Sequence, residues 1–195
     1  MTAEELLAPV KERFCAGNVT PLDFTALLLT LLQDYFSQST NILHASISGR
    51  IFTGTDATNI LIESAGRFTP TKAERRPAIL ISQGPWKVRP HTIGAGTDFS
   101  KDANENYNYY RIIDGSHIIT CIAKSVGETE ILGSEVFKFL LMAEPIIVSQ
   151  LPINTFFVAE MSQAQPVKES RDHFLLKIAV SYSFSIKFTI ERLTI

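Results

Sequence analysis

The sequence predicts an α+β domain: a mostly antiparallel β-sheet with helices packed on one face and an extended terminal β-hairpin. Three observations carry this. The elements read helix–helix, strands, helix, strands, which is not the regular βαβ alternation of a parallel sheet. The last run alternates with period two, placing Leu176, Ile178, Val180, Tyr182, Phe184, Ile186 and Phe188 on one face and Leu175, Lys177, Ala179, Ser181, Ser183, Ser185 and Lys187 on the other. Of the 195 residues, 45% are apolar, enough for one core without a disulfide or a metal. A single domain is expected over 1–195, with a helical part at 1–43 and a sheet carrying helix 127–143 over 44–195.

Taken in order, Glu4–Phe14 spaces Leu6, Leu7, Val10 and Phe14 as a helix does, and Gly17-Asn18 is a plausible stop. A second helix starts at once, with Thr20 as N-cap, Pro21 in the first helical position and Asp23 in the first turn. Leu28, Leu31, Leu32, Tyr35 and Phe36 line one side of it, and Leu27 and Leu29 widen that side beyond the usual stripe. Cover on more than one face is expected, by the sheet and by another subunit. His44–Phe52 reads as a strand with a turn at Gly54, and Thr58–Glu63 as a second short strand. Pro77–Ser82 reads as a buried strand, and Pro85 and Pro90 frame another extended piece. Gly94–Asn108, crowded with Gly, Asp and Asn, reads as a long loop of the kind that serves interaction. Tyr110–Ala123 is β-rich, with Asp114-Gly115 as a turn or bulge. Gly127–Ala143 is a helix that Pro145 ends; Asn154–Met161 and His173–Ile190 are strands. The last is long for a small domain and is expected to project beyond the sheet.

Composition excludes several classes. With 18 basic and 20 acidic side chains, the net charge of −2 argues against a nucleic-acid binder held by bulk charge. Met1–Leu7 carries Glu4 and Glu5 where a secretory leader would be basic, and the longest apolar stretch, Phe24–Leu32, is too short to span a bilayer. The chain therefore reads as soluble and cytosolic when made. Cys15 and Cys121 suggest free thiols in a reducing compartment, unless the fold brings them together.

Catalytic and cofactor chemistry is not expected. No phosphate-cradling Gly-x4-Gly-Lys run exists, and Gly94-Ala-Gly96 lacks the strand-to-helix setting that such a site needs. His44, His91, His117 and His173 are scattered without metal-ligand spacing; Asp114 and His117 alone make a weak metal pair, and a satisfied polar residue at a strand edge is the better reading of His117. No Gly-x-Ser-x-Gly elbow is present, and Cys121 sits in an apolar strand, where a structural thiol is the expected role. Glu128 and Glu130 open a helix, where acids suit the dipole.

Two features remain. Arg67, Lys72, Arg75, Arg76, Lys87 and Arg89 oppose only Glu74, a local balance of +5 that leaves the remainder of the chain at −7. Such asymmetry fits a solvated face, head-to-tail contact between identical subunits, or contact with a phosphate backbone. The second feature is surplus apolar surface at Phe156-Phe157, on the terminal strand and on the broad helix 21–36, shared between a monomer core and subunit packing.

Arg76-Pro77-Ala-Ile-Leu-Ile, then His117-Ile-Ile-Thr-Cys-Ile-Ala, then a helix through Glu130, Leu132, Val136 and Leu140 and a late pair of strands resemble the tail-terminator and neck (tail-completion) proteins of tailed bacteriophages. The resemblance covers about residues 20–40 and 76–190 as an order of elements, with additional material at 45–70 and 94–109. It implies a structural virion protein at the head–tail junction: a homo-oligomer, expected as a hexameric ring, that terminates the tail tube and joins it to the head connector. Its partners would be the tail-tube protein and head-connector or neck proteins, with double-stranded DNA passing through the channel without sequence-specific binding, and no membrane or cofactor. On that view Arg67, Lys72, Arg75, Arg76, Lys87 and Arg89 meet acidic residues of a neighbour, the loop with Asp98 and Asp102 reaches an adjoining ring, and Phe156 and Phe157 pack between subunits. Alternatives are another virion component, such as a head-closure or baseplate subunit, or a soluble α+β domain that binds a small ligand or acts as an enzyme.

Overall fold

Capping chemistry places helix α1 (Pro21–Tyr35) where the sequence expects it. Thr20 is extended, and its N–H and hydroxyl both donate to Asp23 Oδ2 at 2.8 Å while the Asp23 N–H donates to the Thr20 carbonyl at 3.0 Å, so the turn is closed within four residues. The structure is a computed structural model and describes residues 8, 11–13, 19–54, 59–68, 76–89, 100–101, 107–167 and 172–190. Lys72, Arg75, His91, Asp98, Asp102, Cys15, the Gly17-Asn18 stop and Gly94-Ala-Gly96 lie outside the described residues, as does most of the expected first helix.

After α1 come strands β1 (Leu61–Ser64), β2 (Ala78–Gln83), β3 (Lys87–Val88), β4 (Ser100–Lys101) and β5 (Tyr107–Ala123), helix α2 (Val126–Gln150), and strands β6 (Ile153–Met161), β7 (Gln165–Pro166) and β8 (Phe174–Ile190). The main sheet order is β1-β2-β5-β8-β6, with β3 and β4 beside β5 and β7 beside β8. β1 and β2 are parallel and the remaining pairings antiparallel, so the expected α+β architecture with a mostly antiparallel sheet is the one observed. β5 and β8 pair along their full length, from Tyr107 opposite Ile190 to Ala123 opposite Phe174.

Both helices cover one face of this sheet. Ile79 and Ile81 of β2, Ile119 and Cys121 of β5, and Leu176 to Phe184 at alternate positions of β8 share a buried cluster with Phe24, Leu28 and Leu32 of α1 and Leu132, Val136 and Leu140 of α2. Each such large apolar side chain contributes about 1.5–3 kcal/mol by leaving water. Gly133 lets α2 come close: a Cβ there would sit 2.7 Å from a Leu176 methyl. The opposite face carries a small cluster of Leu61, Ala78, Leu80 and Ile122 under the 3-10 turn Ala65–Arg67 and Phe68, and is otherwise rich in Ser and Thr.

β6 follows β8 only as far as Ile153 opposite Phe184, and β2 follows β5 only as far as Gln83 opposite His117. Tyr107–Ile112 and Ser185–Ile190 therefore run on as a narrow arm, flanked among the described residues by β4 opposite Tyr107 and Asn108 and, at its base, by the Arg89 N–H on the Ile112 carbonyl. β6 and β8 form the expected terminal antiparallel pair.

Four expectations are corrected. Pro145 does not end its helix; α2 continues to Gln150, and the Leu141 carbonyl that loses its N–H partner belongs to an exposed residue, open to solvent. His44–Phe52 is not a strand but a 3-10 turn, Ala45–Ile47, and irregular chain. There His44 Nδ1 accepts from the Ser46 N–H and the Ser48 hydroxyl donates to the Ala45 carbonyl, local bonds that compete with a ladder. Asp114-Gly115 is neither turn nor bulge, because both residues keep register opposite Ser183 and Tyr182. Within the expected loop 94–108, Ser100–Lys101 pairs back on β5, which already begins at Tyr107.

Candidate functional site

Alternation along β5 turns His117 into the core, in a central strand rather than at the strand edge expected for it, and it has no exposed surface. Four segments meet around it. Trp86, in the turn between β2 and β3, donates its indole N–H to the Tyr182 hydroxyl on β8 at 3.0 Å. The Tyr182 hydroxyl lies 3.1 Å from His117 Nδ1, and His117 Nε2 lies 2.9 Å from the Thr25 hydroxyl on α1. The Phe24 ring stacks on Tyr182 at 3.7 Å and 11°. Gly115 makes room for this, since a Cβ there would stand 2.4 Å from the Tyr182 ring. Burial lowers the His117 pKa to about 4, with the Pro21 carbonyl pulling slightly the other way, so the ring is neutral at pH 7. Burial likewise pushes the Cys121 thiol up to about 12, which leaves it a protonated packing group.

A second buried polar group ties the two helices together. Glu135 of α2 accepts the Tyr35 hydroxyl at 2.7 Å and the Leu43 N–H at 2.5 Å. Burial, and next the neighbouring Glu135, raise the Tyr35 pKa well above the usual tyrosine value. At the helix start, burial pushes Asp23 up, but bonds from Thr20 and then Arg13 outweigh it and hold the acid below its ordinary value.

The candidate surface residues are dispersed. Arg67 is exposed in the 3-10 turn after β1, Arg76 is half-buried before β2, and Lys87 and Arg89 are exposed on and just after β3. Arg89 makes a two-pronged ion pair with Asp114 at 2.7 and 3.2 Å, which raises the arginine pKa and cancels one charge of the basic stretch within the chain. The same pair separates Asp114 from His117, which lies on the opposite side of the strand. Phe157 is 46% exposed on the uncovered face of β6, whereas Phe156 is 2% exposed and packs in the core. Phe156 is thus corrected from an interface candidate to a core residue, because its side of the strand lies under the helices.

Alongside α1, a groove of about 310 Å³ is lined by Leu22, Ala26, Leu29 and Gln33 on one side and Ile62, Glu63 and Arg67 on the other. The Gln33 side-chain amide donates to the Ile62 carbonyl at 3.2 Å across its floor. Leu22, at 70% exposure, stands at the rim. Among the described residues no group of three His, Cys, Asp or Glu side chains comes together to hold a metal, and no helix is long and apolar enough to cross a membrane. The polar core and the Glu135 contact escaped sequence reasoning. Trp86, Tyr182 and Thr25 are 96, 65 and 92 residues from their partners, and only Glu135, an acid beside the apolar arc of Leu132, Val136 and Phe139, left a trace. Comparison with protein-family models and with curated proteins finds no match to this chain.

Proposed function

We propose that the chain is a structural subunit of the head–tail junction of a tailed bacteriophage, assembling as a ring that terminates the tail tube and joins it to the head connector. The observation that carries the reading is the arm of Tyr107–Ile112 and Ser185–Ile190, which outruns β2 and β6 and gives a neighbouring copy something to pair with. Two further features support it. Among the described residues β1 and β6 are the edges of an open sheet, and edges of this kind are stabilised by closure into a ring. α2 also holds Leu141, Met142, Ile146 and Val148 toward solvent, a stripe that a partner would cover. On this reading the tail-tube and connector proteins contact opposite faces of a ring of six, and DNA passes through without base readout.

Native mass spectrometry of the purified chain tests this. A species near six times the 21.7 kDa chain mass, seen as closed rings by electron microscopy, is the expected result. A single-chain mass at every concentration would overturn it. The groove beside α1 favours a second reading, a soluble domain that binds a small ligand, and a small molecule retained in the same spectra would support that instead.

A further inference from the structure

One direction of the polar line through the core gives every donor an acceptor. An indole N–H only donates, so the Tyr182 oxygen accepts from Trp86. The arrangement that gives the buried Tyr182 hydroxyl proton an acceptor sends it to His117 Nδ1, which is then the unprotonated ring nitrogen. The imidazole proton is on Nε2 and goes to Thr25 Oγ1, and the Thr25 hydroxyl donates in turn to the Pro21 carbonyl at 3.2 Å. Four donors in series connect the turn before β3 to the first turn of α1.

We infer that this line is an acid-operated latch, in which a second proton on His117 breaks the series at Nδ1 and loosens the N-terminal turns of α1 from the sheet. Imidazolium carries donors on both nitrogens. Its Nδ1–H would face a Tyr182 oxygen that already receives the Trp86 N–H, and the Tyr182 proton would lose its acceptor. No described acid faces the ring to offset the charge. On α1, Asp23 is committed to Thr20 and Arg13. On α2, Glu135 is committed to Tyr35 and Leu43. On β5, Asp114 is on the other side of the strand and paired with Arg89. β8 contributes Tyr182 from this side, with Lys177 and Lys187 on the other; β2 places neutral Gln83 opposite His117. The stack of Phe24 on Tyr182 couples the loss of that hydroxyl contact to α1 itself.

The sign follows from burial. His117 is neutral in the closed state down to about pH 4, against an ordinary value of 6.5. Closure is therefore at full strength above about pH 6.5 and weakens as the pH falls, by roughly 300-fold in its equilibrium constant once the pH is well below 4. The latch is independent of any ring assembly, since all its parts lie within one chain.

Trp86 is the single tryptophan, so its emission reads the latch directly. The full chain is titrated from pH 8 to 3 at constant ionic strength, with hydrogen exchange measured at both ends. The expected result is a reversible emission change that develops below pH 6.5 and is half complete by about pH 4, with exchange protection lowered over the N-terminal half of α1 and kept in the β5–β8 ladder; His117→Gln abolishes the change. An unaltered transition in His117→Gln, or simultaneous loss of protection in α1 and the ladder, would overturn the latch. Should that variant not fold, imidazole ¹⁵N shifts of the unsubstituted chain at pH 7 decide: the Nε2–H tautomer supports the series and an Nδ1–H tautomer sinks it.

Discussion

At the scale of single residues, space and satisfied polarity matter more than composition does. Gly115 leaves no room for a methyl group, which would stand 2.4 Å from the Tyr182 ring. Gly115→Ala is expected to destabilise the chain by about 1–3 kcal/mol, the usual cost of overpacking a core, with urea unfolding as the measurement. Glu135 is a different kind of constraint, a carboxyl group holding two donors from the segment after α1. Glu135→Ala should cost about 3 kcal/mol and Tyr35→Phe about half that, because each leaves a buried partner unmatched. The double variant is expected to cost less than their sum, and an additive result would show that the 2.7 Å contact is not formed in solution. The role of Gly115 was not legible in the sequence, where it read with Asp114 as a turn or bulge, and Glu135 left only its place beside an apolar arc.

Elements were far more legible, and the reasons are local. The capping chemistry of Thr20, Pro21 and Asp23 is complete within four residues, so α1 begins where the sequence places it. The period-two pattern of β8 is carried by side chains that all reach one buried cluster, so its face could be assigned without tertiary information. The end of α2 misled because proline's penalty depends on surroundings that a local pattern does not contain. On the exposed side of a long helix the freed carbonyl stays open to solvent, and the five residues from Ile146 to Gln150, anchored by buried Ile147, keep the helix going. The position remains costly: Pro145→Ala is expected to raise stability by about 1–3 kcal/mol, seen as a higher urea midpoint with unchanged slope. The 3-10 turn at Ala45–Ile47 misled for the opposite reason, since its side-chain bonds to its own backbone are invisible in hydropathy.

For the molecule as a whole, adjacent phenylalanines separate folding from assembly. Phe156→Asp places a charge under the helices and is expected to abolish folding, whereas Phe157→Asp should change stability by less than about 0.5 kcal/mol. If copies of the chain associate through the uncovered face of β6, Phe157→Asp also reduces the native mass to that of one chain. An unaltered mass would move the contact elsewhere. Association partners, ring size and the role of the basic stretch were not legible from one chain, because they depend on surfaces supplied by other molecules. The net charge shows why: Arg89 is cancelled by Asp114, 25 residues away, so a sequence window overstates the charge that a neighbour would meet.

The β5–β8 ladder also governs how the chain reaches this state. Its first and last pairs join Ala123 to Phe174 and Tyr107 to Ile190, so the central hydrogen bonds of the fold cannot form until α2 and β6 have been looped out between them. Closing that loop costs entropy before any ladder bond returns it. Refolding followed by Trp86 emission is therefore expected on the millisecond-to-second scale typical of non-local sheets, not the microsecond scale of helical bundles. During that interval two 17-residue strands wait unpaired, and nascent chains crowded together have the opportunity to exchange them.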